Sequence, residues 1–313
     1  MKNPVRKISI LLALLVTAIG SFTLYTPDIP ADVIEQKYTN SASKFMVVDG
    51  LRIHYRDQGT GPALVLIHGS NASLHTWEGW TKELSADFRI ISLDLPGHGL
   101  TGPDPKERYD WISMAGLVNS FLENLGVDRF SIAGNSMGGA VAWNYTLLHP
   151  KKVENLILID SRGYPSEEPK PAIFKAFATP VLGHLLTVVT PRSAIADSMH
   201  SVYGDPSKVT DELVTRSFDL TVRAGNREAT RVRFSEPSTD QHLARIGTIS
   251  APTLVMWGKK DAWILPKYAD RFIADIKNST LKLYENDGHL PMEESPVLTA
   301  KDAREFLASQ NAH

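Results

Sequence analysis

The sequence predicts an α/β protein: a mostly parallel, eight-stranded sheet with helices on both faces and an inserted helical cap. Three observations carry this reading. Short apolar runs of strand length alternate with helical stretches, the pattern that builds a parallel sheet. The run Phe130-Ser131-Ile132-Ala133 turns through Gly134-Asn135-Ser136-Met137-Gly138 directly into the helical stretch Ala140 to Tyr145. From about Ser161 to Ser238 the strand signal stops, and Pro165, Pro169, Pro171, Pro180, Pro191 and Pro206 separate short helical patterns. That interval is too long for one strand-to-helix connection, so it reads as a cap. The division is 1–25 export signal or anchor, 26–43 linker, 44–160 core, 161–238 cap and 239–313 core.

The chain starts with Lys2, Arg6 and Lys7 before an apolar run from Ile8 to Tyr25. A basic start followed by apolar sequence is an export signal or a membrane anchor. Ala18 and Gly20 form a weak cleavage site, and the run continues to Leu24, which favours an uncleaved anchor. Basic flanks stay cytoplasmic, so the rest is expected outside the inner membrane, or periplasmic or secreted after cleavage. Thr26 to Ser43, with Pro27 and Pro30, reads as a linker. Phe45 to Val48 and Leu51 to Tyr55 flank Asp49-Gly50, a two-residue hairpin turn. Pro62 to Ile67 is a continuous apolar run, as expected of a buried parallel strand.

Trp77 and Trp80 follow at helical spacing and suit core packing. Arg89 to Leu93 is the next strand and runs into Asp94-Leu95-Pro96-Gly97-His98-Gly99. Val153 to Asp160, Thr253 to Trp257 and Thr280 to Tyr284 complete the set. Ser295-Pro296 starts the last helix, with serine as N-cap and proline at the first helical position.

Composition narrows the chemistry. The 313 residues carry a net charge of -2, so nothing draws the chain to nucleic acid. There is no cysteine, which excludes disulfides, thiolate catalysis and cysteine metal sites. No H-E-x-x-H, P-loop or dinucleotide glycine pattern occurs, so no metal or cofactor is expected.

Gly134-Asn135-Ser136-Met137-Gly138 matches G-x-S-x-G, the sharp turn that lifts a serine above a sheet. The Met137 N–H and the helix dipole can there stabilise an oxyanion. A serine hydroxyl needs a base. Asp261 and His289 each follow a later strand, and parallel strands gather their C-terminal ends at one rim. His289 would take the Ser136 proton, and Asp261 would orient the imidazole. Asp160 also ends a strand and is the alternative acid. His98 reads as structural, His68 as orienting its own loop, and His54, His149 and His184 as surface or packing residues. Glu293-Glu294 reads as a cap or flank of the last helix.

These motifs, in this order, resemble the α/β-hydrolase superfamily over roughly residues 44 to 310: HGSN at His68, DLPGHG at Asp94, GNSMGG at Gly134, WGKKD at Trp257 and DGHLPMEE at Asp287. The resemblance implies a Ser136–Asp261–His289 triad. It also implies a second oxyanion donor, the Ser70 N–H, beside that of Met137. Asn71 stands where this loop usually has proline, so either Ser70 or Asn71 can face the hole. The implied activity is cleavage of a small or medium apolar ester through an acyl-enzyme on Ser136. The substrate is then a small ester-like molecule, with the membrane as partner only through the N-terminal segment. The meta-cleavage C–C hydrolases share the GNSMGG turn but carry tryptophan after the histidine, where this chain has Leu290. The anionic end of their dienoate substrate needs a placed cation or several polar donors; Arg162, Arg192 and Arg223 could serve, but no motif fixes any of them in the pocket. Phe174, Phe177, Leu182, Leu185 and Leu186 suggest an apolar inner face of the cap, which suits an uncharged acyl group. Ser136 argues against the aspartate-nucleophile epoxide hydrolases and haloalkane dehalogenases, and the intact triad against a non-catalytic binding protein.

Overall fold

The computed structural model describes residues 25–168, 172–235 and 241–310. Asp49 and Gly50 both take positive φ, 49° and 87°. That turn closes an antiparallel pair, β1 (Ser43–Val48) and β2 (Leu51–Gln58), in the register Val48 to Leu51. β2 also pairs antiparallel with β4 (Arg89–Leu93). β3 (Ala63–Ile67), β5 (Phe130–Asn135), β6 (Val153–Ile159), β7 (Thr253–Gly258) and β8 (Ser279–Tyr284) are parallel to β4. The order is β1-β2-β4-β3-β5-β6-β7-β8, eight strands, as the sequence predicts. β3, β5, β6 and β7 are almost wholly buried because both faces are covered.

Two apolar cores lie against the sheet. In one, Trp77 and Trp80 are fully buried with ring centroids 5.4 Å apart, and Trp80 donates to Thr299 Oγ1. This fastens α2 (Glu78–Leu84) to the last helix, α12 (Pro296–Gln310). The Ser295 hydroxyl before α12 donates to Asp287.

The linker expected at 26–43 is folded. α1 (Ala31–Tyr38) buries Ile34 against Leu100 and Leu220. Lys37 and Tyr38 both bind Asp219, at 2.5 and 2.7 Å. Ile29 bridges to Arg223, with backbone bonds to Val222 and Ala224. Pro27 and Pro30 thus precede a helix and do not mark a free tether. The expected signal or anchor lies outside the described residues except for Tyr25. Among the described residues no helix is long and apolar enough to cross a membrane.

The described part of the cap is five helices: α5 (Ala172–Phe177), α6 (Pro180–Leu186), α7 (Arg192–Val202), α8 (Asp211–Val222) and α9 (Asn226–Ser235). Its apolar residues do not all turn inward. Phe177 packs on Phe234, but Leu182 and Leu185 are about half exposed, at 48% and 51%. α6 is short and apolar except for His184, so its periodicity could not say which face is inner. The Phe174 side chain is outside the described set.

Candidate active site

The turn after β5 leaves no room for side chains. A Cβ on Gly134 would run into the Gly138 backbone, and one on Gly138 into the carbonyls of Ile67 and His68. Ser136 itself takes φ 55°, ψ -117°, which favours glycine and is held by its surroundings. Its N–H donates to the Ile159 carbonyl, and its carbonyl accepts from Arg162 N–H. Met137 opens α4 (Met137–Leu148), so its N–H has no acceptor within the helix. The loop before α2 presses on this point: a Cβ on Gly69 would sit 3.2 Å from Ser136 Cβ.

His68 fixes that loop. Its Nδ1 donates to the Gly69 carbonyl at 2.7 Å and its Nε2 accepts from Leu95 N–H at 3.0 Å. Burial lowers its pKa and keeps it neutral. His98, donating to the Pro96 carbonyl, is also buried and structural. His54 is fully buried and is more than a packing residue, because Nδ1 binds Asp94 at 2.8 Å. Asp94 also accepts from the Leu74 and Leu100 N–H groups. Despite its burial, the hydrogen bond from His54 holds it well below the usual carboxylate range.

The other half of the site arrives from β7 and β8. His289 Nδ1 lies 2.7 Å from Asp261 Oδ2, both residues buried. Asp261 Oδ1 accepts from the N–H groups of Trp263 and Ile264, at 2.7 and 3.0 Å, so the carboxylate cannot turn. The Trp263 ring lies nearly parallel to the imidazole, 6.4 Å away. Asp160 sits behind the pair at φ 44°. Its Oδ1 accepts from Gly258 N–H at 3.0 Å, while its buried Oδ2 has no partner. Burial, then the charge of Asp261, pushes Asp160 well above the carboxylate range. Asp160, Asp261 and His289 each bring a potential metal ligand within 4.8 Å of the others. His289 Nδ1 and Asp261 Oδ2 are already engaged with each other.

Three more residues matter here: Asn135 and Arg233, to which the sequence reading gave no role, and Glu294, which it read only as a helix cap or flank. Asn135 Nδ2 donates to the carbonyls of both Ile159 and His289, at 3.1 and 3.0 Å, which draws the histidine loop onto β5. Glu294 flanks α12, as expected, and does more. Its carboxylate accepts from the N–H groups of Gly288, Gly204 and Asp205, joining the histidine loop to the cap. Arg233 on α9 reaches into the oxyanion loop. Its Nη1 donates to Ser70 Oγ at 2.6 Å and approaches Met137 Sδ at 3.1 Å, and its Nη2 donates to Asn71 Oδ1 at 3.0 Å. Burial lowers it to about 10, and among the described residues no carboxylate pairs with it. The side chains of both Ser70 and Asn71 therefore turn to the cap, whichever N–H faces the hole. Of the arginines the sequence offered, Arg192 pairs with Asp211 and Arg223 binds the Leu100 and Ala224 carbonyls.

A family model described as the alpha/beta hydrolase fold matches residues 62–296. The chain belongs to the α/β-hydrolase family. Similar proteins include the 2-hydroxy-6-oxononadienedioate/2-hydroxy-6-oxononatrienedioate hydrolase of Comamonas testosteroni, 26% identical over 290 residues, spanning 86% of this chain and 98% of that one. The monoacylglycerol lipase abhd6-B of Xenopus laevis is 25% identical over 80% of this chain and 77% of its own. Among solved structures, a membrane phospholipase A is similar with a TM-score of 0.71 and 26% identity, over 98% of this hydrolase and 99% of that chain.

Proposed function

We propose that this hydrolase opens small or medium apolar carboxylic esters through an acyl-enzyme on Ser136. The observation that supports it is the fixed Asp261–His289 pair, at the same sheet rim as a serine in a strained strand-to-helix turn. His289 Nε2 takes the Ser136 proton as Oγ attacks the ester carbonyl. Asp261 holds Nδ1–H and stabilises the imidazolium. The Met137 N–H and that of Ser70 meet the oxyanion. His289 then returns the proton to the departing alcohol, and water repeats the sequence on the acyl-enzyme. Leu290 after the histidine and the similarity to lipases support an ester. The apolar run from Ile8 is read as the anchor of a hydrolase working outside the inner membrane.

A fluorophosphonate should label Ser136, and Ser136→Ala should lower kcat by about 10⁶-fold. Labelling elsewhere in folded protein would reject the assignment.

Arg233 favours a second reading, C–C cleavage of a 2-hydroxy-6-oxo-dienoate. A cation without a carboxylate partner, beside the oxyanion loop, is what an anionic substrate needs. Purified enzyme should turn over short p-nitrophenyl esters with the higher kcat/KM. If the dienoate is preferred, and Arg233→Met costs it about 100-fold while sparing the ester, the C–C reading replaces the first.

A further inference from the structure

The cap carries a stretch of unusual composition. From Ala176 to Pro191 there is no Asp, Glu, Lys or Arg. Val181 is 80% exposed, and Leu182, Leu185 and Val188 are 40–51% exposed. Single exposed apolar residues are ordinary, but four on one helix and its exit form a patch.

The position of the patch says what covers it. Thr26 N–H donates to the Val188 carbonyl at 2.8 Å, and the Thr26 hydroxyl bonds to both the carbonyl and the N–H of Thr190. Arg227 clamps the same strands, donating to the Thr26 carbonyl, Asp28 and Thr190 Oγ1. Tyr25, the residue before this clasp, is 56% exposed. It closes the apolar run that begins at Ile8, behind Lys2, Arg6 and Lys7. The run from Ile8 to Leu24 carries no charge, and so long an apolar sequence calls for more cover than four side chains of a cap helix supply. The described chain begins directly after it, at Tyr25, beside the exposed patch.

We propose that the cap segment Ala176–Pro191 lies in the surface of a lipid bilayer, with α6 parallel to the membrane and its apolar residues among the acyl chains. Basic and apolar features at one end of the molecule then act together. The N-terminal segment holds the chain to the membrane, and α6 sets the orientation of the cap against it. An ester substrate with an acyl chain reaches the cap from the lipid phase.

The absence of cysteine makes this directly measurable. Full-length protein carrying Val181→Cys, Leu185→Cys or, as control, Val297→Cys is labelled with an environment-sensitive fluorophore. It is then reconstituted into phosphatidylethanolamine–phosphatidylglycerol vesicles holding a lipid-borne quencher. Val297 on α12 is 64% exposed and apolar but belongs to the core. Labels at 181 and 185 should be quenched and the label at 297 should not. No quenching at 181 and 185, or equal quenching at 297, overturns the proposal. So does a patch found shielded by a second copy, seen as a doubled mass in detergent that Leu185→Glu halves.

A second arm rests on the ester reading. Leu182→Glu/Leu185→Glu should keep soluble p-nitrophenyl acetate turnover and lose about tenfold on a diacyl ester in the same vesicles. Unchanged turnover of the vesicle ester overturns the proposal. An equal fall on both substrates overturns it too, since the patch would then serve the catalytic centre. If wild type cleaves neither ester while the labels are quenched, the ester reading fails and the membrane face stands.

Discussion

Asp160 and Asp261 stand in one buried cluster, and a single proton separates their roles. The imidazole is bonded to Asp261, while Asp160 is held neutral by burial and by its neighbour's charge. Asp261→Asn should therefore lower kcat by about 10⁴-fold, as loss of a triad acid does. Asp160→Asn replaces a neutral acid by a neutral amide and should leave kcat within about tenfold. The same substitution has a pH signature. A carboxyl raised above its usual 3.8 on folding contributes stability below that pH and loses it as pH rises towards the folded value. Asp160→Asn should thus gain stability over wild type as pH rises above about 4, read as urea midpoints. A gain on acidification would show that Asp160 is ionised in the fold. The Asp261–His289 contact and the tight turn at Ser136 were legible in the motifs, because each of these residues follows a strand of the parallel sheet. Nothing local marked Arg233: its contact with Ser70 spans 163 residues, and its own helix looks like any charged surface helix.

At the scale of elements, the sheet was legible because buried parallel strands are continuous apolar runs. α1 was not. It is short, polar on most of its surface and follows two prolines, so it carries the composition of a tether. Only its partners on the cap and in the loop after β4 reveal it: Ile34 against Leu100 and Leu220, and Tyr38 on Asp219. A fragment beginning at Tyr25 should consequently be more stable than one beginning at Thr39, by about 3 kcal/mol. Burying Ile34 is worth about 2 kcal/mol, and the segment's hydrogen bonds, at about 1 each, are largely offset by the cost of ordering its backbone, which leaves about 1 more. Equal melting temperatures would mean that α1 merely rests on the cap. The orientation of α6 was illegible for the opposite reason: an uncharged helix gives periodicity nothing to distinguish.

At the scale of the whole molecule, the cap and the core are joined at His289. Val202 accepts from His289 N–H at 2.7 Å, and Glu294 accepts from both sides of the junction. A Cβ on Gly204 or on Gly288 would strike the opposing backbone. Glu294→Ala should leave three buried or half-buried N–H groups unpaired and cost about 3 kcal/mol in urea unfolding. It should also lower kcat on p-nitrophenyl acetate by more than it changes KM, because the histidine loop loosens. Unchanged kcat with lost stability would confine Glu294 to the fold. The cap is also tied down elsewhere: Arg233 bonds Ser70 and Asn71, Asp219 holds Lys37 and Tyr38, and Arg216 pairs with Glu78. The mechanical consequence is redundancy. Bolts at several corners of a plate resist rotation about any one of them, so loss of Glu294 should loosen the histidine loop without freeing the cap.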